Sequence, residues 1–212
     1  MNDMTVLNNP IPREWDQYVT QQANGQLQIV PYIMYFKATY ITATTGNTLD
    51  FFNTVPASDA ISNVKQPGIL PAGQSMLIQA IRVHIENNIE VQDMGAADAV
   101  LVGQAQDNFL IQEGVLRMNI GTKPQGPWPI HCLPSGTGAE VMAMAAAGAE
   151  AANLVVNQAD LAGPMYALFP NLLIANLQQF SAQMAWAAAL TLSITNKNIW
   201  LMFDGQLARP IE

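Results

Sequence analysis

Phe180-Ser181-Ala182-Gln183-Met184-Ala185-Trp186-Ala187-Ala188-Ala189-Leu190-Thr191-Leu192-Ser193-Ile194 keeps one period for longer than any other stretch of this chain. Its even positions are apolar and mostly bulky, while its odd positions are small or polar. Successive side chains of a strand point to opposite faces, whereas a helix repeats every 3.6 residues, so the alternation predicts a strand with its even face on a core. Thr195-Asn196-Lys197-Asn198 then suits a tight turn, and Ile199-Trp200-Leu201-Met202-Phe203 runs back as a second apolar strand before Asp204-Gly205. A long C-terminal β-hairpin over residues 178–210 is therefore expected. Its first strand far exceeds the usual strand length, so a bend or bulge is expected within it.

Upstream, the same reading recurs. Residues 166–174 resume a β pattern with Leu168-Phe169-Pro170-Asn171-Leu172-Leu173-Ile174. Leu116, Met118 and Ile120 alternate with Arg117 and Asn119, and Lys123-Pro124-Gln125-Gly126-Pro127 is read as the reversal into a partner strand from Trp128 to Leu133. In residues 75–86, Leu77, Ile81, Val83 and Ile85 are placed on one face, with Arg82, His84 and Glu86 on the other. Residues 29–55 are rich in aromatic and β-branched side chains around Gly46-Asn47, which predicts two strands about a turn. Residues 93–111 fit a helix or a loop leading into a strand, and an Ala/Gly-rich insertion at about 135–163 interrupts the β pattern. Residues 1–31 lack sustained periodicity and read as an N-terminal arm held by neighbouring subunits. About eight strands without βαβ units make an all-β antiparallel sandwich, and long irregular connections favour a single jelly roll over residues 32–212.

Half of the 212 residues are apolar and only 11% are charged, so the surface has little charge to cover it and is expected to be hidden against partners. The eight basic residues are scattered singly and the net charge is −8, which argues against direct nucleic-acid binding. The single cysteine, Cys132, excludes an intrachain disulfide and reads as a small buried hydrophobe. The polar N-terminus does not read as a secretory signal, and the alanine-rich runs are too short or interrupted to span a bilayer, so synthesis in a reducing cytoplasm is expected.

Candidate chemistry is sparse. His84 and His131 are too few for a cupin-type metal site, and His84 reads as part of a solvated strand row with Arg82 and Glu86. Glu86 and Glu90 read as solvated acids, no Gly-Xaa-Ser-Xaa-Gly elbow is present, and Gly136-Thr137-Gly138 is followed by no Gly-Lys-Ser/Thr. No catalytic, cofactor or metal site is assigned. Ala185, Ala187 and Ala189 are poor β formers on the outward side of the long strand, and small side chains permit close approach, which makes them subunit-contact candidates. Trp128 is a fourth candidate. Of the aromatics open to a carbohydrate-binding module, Trp128, Trp186, Trp200 and Tyr166, it is the one that its flanking Pro127 and Pro129 would expose, while Trp186 and Trp200 read as core or subunit contacts.

Three stretches carry a family resemblance: FLIQEGVLRMNIGTKPQGPWPIHCLPSGTG at 109–138, LFPNLLIANLQQFSAQMAW at 168–186, and NIWLMFDGQLARPIE at 198–212. They resemble the jelly-roll major capsid proteins of tailless icosahedral bacteriophages. The matching elements are Ile120-Gly121-Thr122-Lys123, the Leu-Xaa-Ile-Xaa-Xaa-Xaa-Gln-Xaa-Phe run from Leu172 to Phe180, and the closing Leu-Asp-Gly-Xaa-Xaa-Xaa-Arg-Pro, which falls on Phe203 to Pro210 with Phe203 in place of the Leu. The resemblance covers roughly the last half of the chain, and the alanine-rich segment at 139–152 has no counterpart in it. It implies a single jelly roll that assembles with copies of itself into an icosahedral shell, with other virion proteins as partners and room for a membrane beneath the shell. The alternatives are a minor capsid or spike protein, or a non-catalytic carbohydrate-binding module on the same fold.

Overall fold

The computed structural model describes residues 12–41, 46–86, 110, 113–133, 142–143, 155–156, 166–189 and 196–211. A helix, α1 (Arg13–Ala23), precedes β1 (Leu27–Tyr40), β2 (Thr48–Phe51), β3 (Ser75–Ile85), β4 (Val115–Ile120) and β5 (Lys123–Pro129). A 3-10 turn (Ile130–Cys132), the two-residue strands β6 (Met142–Ala143) and β7 (Val155–Val156), β8 (Tyr166–Ile174), β9 (Phe180–Ala185) and β10 (Lys197–Pro210) follow. Two four-stranded antiparallel sheets, ordered β1-β10-β3-β8 and β2-β9-β4-β5, make an all-β sandwich, and β6 pairs with β7 within the expected insertion.

The core lies between the inner faces, because alternation places every second side chain there. Met34, Phe36 and Tyr40 of β1, with Leu201 and Phe203 of β10, face Phe51 of β2, Leu116 and Met118 of β4, and Phe180 and Met184 of β9. Phe52 sits at the centre with φ of 63°, stacked on Phe203 at 5.4 Å and edge-on to Phe36 at 5.4 Å. Aromatic pairs at such separations add to the area they bury. β1 is an edge strand, and the chain from Ser58 to Val64 covers part of that edge: Lys37 N donates to Ile61 O at 2.7 Å, and Asn63 Nδ2 donates to Ile33 O at 2.7 Å. An edge so occupied offers no free ladder over those residues.

Several expectations are corrected. Phe180, Ala182, Met184 and Trp186 are buried as the alternation predicts, but β9 ends at Ala185, and residues 190–194 lie outside the described residues. β9 and β10 are not a hairpin, since they belong to opposite sheets. β1 and β2 are likewise two strands in different sheets. The β4–β5 reversal falls at Gly121-Thr122, and the expected turn over 123–127 is itself the edge strand, where prolines cost no ladder bond. Leu77 does not share a face with Ile81, because a bulge between Ile78 and Ala80 shifts the pleat. Met76 and Ile78 therefore enter the main core, and Leu77 joins Trp15, Leu27 and Ala208 in a second cluster on the outer face. The arm is corrected over its described part: β1 begins at Leu27, ahead of the expected boundary at 31, and α1 docks on its own chain through Trp15, 1% exposed. Cys132 is free and half-buried instead of buried.

Candidate functional site

Among the described residues, α1 packs on only one half of the outer face of the β1-β10-β3-β8 sheet. It covers that half with Trp15 and Tyr18 in ring contact at 5.0 Å and Tyr18 Oη hydrogen-bonded to Ser75 Oγ at 2.9 Å. An isolated helix of this length is marginal in water, so its order comes from that packing. The other half carries Ile33, which is exposed, and the half-buried Tyr35, Lys37, Trp200 and Met202, with polar neighbours from β3. Tyr35 and Trp200 rings lie 5.8 Å apart, and Lys37 Nζ sits 4.9 Å over the Trp200 ring.

The polar part of this face is tightly tied. Arg82 and Asp204 form a two-pronged ion pair, and Glu86 accepts hydrogen bonds from Trp200 Nε1 and, at 2.8 Å, from Asn198 Nδ2. Burial pushes the Glu86 carboxyl up, but those two hydrogen bonds and the positive charges of Lys37 and His84 outweigh it and hold the carboxyl below its usual range. The row predicted for Arg82, His84 and Glu86 is thus present, as a network across β3 and β10 and only half-exposed. Sequence reading missed Tyr35, Asp204 and Asn198 as members; the outward parity of β10 was a usable signal once its partner strands were known. It also missed α1, whose signal is the spacing of Trp15 and Tyr18 at i and i+3.

The four contact candidates are not gathered on one patch. Ala185 is half-buried within the ladder, opposite Thr48 and Val115, while Ala187 and Ala189 are exposed beyond the end of β9. Trp128 pairs with Leu116, which puts it on the core side of the edge strand, where it is half-buried against the main cluster. Among the described residues no group of three or more His, Cys, Asp or Glu side chains is close enough to hold a metal ion. No described helix is long and apolar enough to cross a membrane. Fold and surface together define an antiparallel β-sandwich with a networked outer face. The chain matches no protein-family model and no curated protein.

Proposed function

We propose that this chain is a structural virion protein, a major capsid protein whose single jelly roll assembles with copies of itself into an icosahedral shell. The observation that carries the jelly-roll part of the reading is the strand order, β1-β10-β3-β8 over β2-β9-β4-β5. β1 and β2, β3 and β4, β8 and β9, and β9 and β10 each fall in opposite sheets, an interleaving expected of two Greek keys wound into eight strands. Fold alone does not choose a function, since lectin and cupin domains use the same winding. The choice rests on the capsid-like motifs, whose residues hold structural positions in this sandwich. Gly121 turns β4 into β5 at φ of 60°, Gln178 closes the β8–β9 turn by accepting from Ala175 N at 3.0 Å, and Gly205 lies against the Leu77 carbonyl.

Low charge suits such a protein, because many weakly polar lateral contacts add up across a closed shell. Exposed Val19, Val55, Leu177 and Ile211 are available for such contacts. Light scattering after size exclusion, with electron microscopy of the same fractions, tests the proposal: shells or rings of many copies are expected. A monodisperse monomer at micromolar concentration, unchanged by added salt or crowding agent, overturns it.

A further inference from the structure

The outer face of the β2-β9-β4-β5 sheet carries a groove that the assembly reading leaves unused. Two adjoining hollows, of about 570 Å³ and 250 Å³, share Asn53, Asn119 and Ser181. Strand register arranges the floor in rows. Asp50, Gln183 and Arg117 stand opposite one another across β2, β9 and β4, and Ser181, Asn119 and Pro124 form the next row across β9, β4 and β5. Neighbouring strands lie about 4.8 Å apart, and rows two residues apart are separated by about 6.8 Å. The β5 bulge opposite Arg117 raises Gln125, Gly126 and Pro127 as one wall, and Asn53 stands on the other side. Phe51, Ala182 and Met118, which alternate with these rows, point into the core, so the floor presents hydrogen-bonding side chains, and the exposed rings of Pro67, Pro124 and Pro127 supply apolar surface along its sides.

We propose that this groove binds a neutral oligosaccharide. The charges in it balance: Asp50 accepts a hydrogen bond from Gln183 Nε2 at 2.7 Å, and Arg117, one residue further along the row, has no ion pair among the described residues. A balanced pair gives an anion no net attraction, and a single guanidinium is a poor phosphate clamp. A peptide gains its affinity from a sheet edge, through main-chain bonds, whereas the rows of this floor lie on a sheet face. Sugar hydroxyls both donate and accept, which matches a lattice of carboxamides, a hydroxyl, a carboxylate and a guanidinium, and the exposed rings of Pro124 and Pro127 suit the apolar C–H face of a pyranose. The inference stands apart from the virion reading, since it depends only on this face.

Saturation-transfer NMR on the full chain, with maltotriose, cellotriose, chitotriose and mannotriose as probes, tests it. At least one neutral trisaccharide should bind, and Gln183→Ala and Arg117→Ala should each weaken that binding by about fivefold, as expected for loss of one or two solvent-accessible hydrogen bonds. Lys37→Ala, on the outer face of the opposite sheet, should leave it unchanged. Binding of none of the four, binding of sialyllactose or hexaglycine in their place, or binding indifferent to both groove substitutions overturns the proposal.

Discussion

Arg82 and Asp204 meet across β3 and β10 with Nε to Oδ2 at 2.6 Å and Nη2 to Oδ1 at 2.7 Å, and their side chains are 15% and 17% exposed. That geometry separates them from a surface ion pair such as Lys65–Asp59, whose side chains are 61% and 75% exposed. Asp204→Ala removes the carboxylate but leaves the guanidinium in a half-dry setting, so it should cost about 2 kcal/mol, against about 0.5 kcal/mol or less for Asp59→Ala. Urea unfolding of the two variants measures the contrast, and equal midpoints would count against it.

Glu86 gives the fold a dependence on acid. Its folded pKa lies below the usual value, so the ionised carboxylate stabilises the native state. That contribution is fully present above the unfolded pKa and is lost as pH falls through the folded one. Glu86→Gln should therefore be less stable than the parent at neutral pH, with the difference closing as the pH falls through the lowered folded pKa of Glu86. Unfolding midpoints across that range report it; a constant offset at every pH would mean that packing, not charge, is what Glu86 supplies.

Gly205 stands where β10 bulges against β3. A Cβ added there would lie 1.8 Å from the Leu77 carbonyl oxygen, and backbone cannot swing aside as a flexible side chain does. Gly205→Ala should force the two central strands apart and cost about 2 to 4 kcal/mol. Gly46 is the control, with nothing within 4 Å of an added Cβ, and Gly46→Ala should fall within about 0.5 kcal/mol of the parent. Thermal unfolding of both variants checks the difference.

The Gly205 contact also marks where sequence reading stops. Alternation located β4, the later half of β3 and the start of β9, because in each the bulky parity matches the buried parity without interruption. It failed at Leu77, where a bulge exchanges the faces, and periodicity carries no sign of a bulge until the partner strand is known. It paired β9 with β10 because two amphipathic strands in sequence satisfy a hairpin and a sandwich equally well. The prolines at 124 and 127 imitate a turn, and only the edge position of β5 makes them compatible with a strand. The groove across β2, β9, β4 and β5 was illegible for the same reason as the Glu86 network. Each joins residues more than a hundred positions apart, such as Asp50 with Gln183 and Glu86 with Trp200, whose meeting is set by topology.

β9 offers the sharpest separation of folding from assembly. Met184 is fully buried between Leu49 and Leu116 in the ladder, whereas Ala187, three residues on, is exposed beyond the strand end. Met184→Asp places a carboxylate in a fully buried apolar site, at a cost comparable to the whole stability of a domain, so soluble folded protein should be lost. Ala187→Asp touches no core residue and should change stability by about 0.5 kcal/mol or less. If Ala187 meets another copy in a shell, the same aspartate adds like charge and desolvation at every repeat of that contact, and particle yield should fall while the folded monomer persists. Circular dichroism and unfolding midpoints read the first effect, and electron microscopy of the purified fraction reads the second. An Ala187→Asp variant that forms normal particles would remove Ala187 from the contact surface, and a folded Met184→Asp variant would contradict the two-faced strand itself.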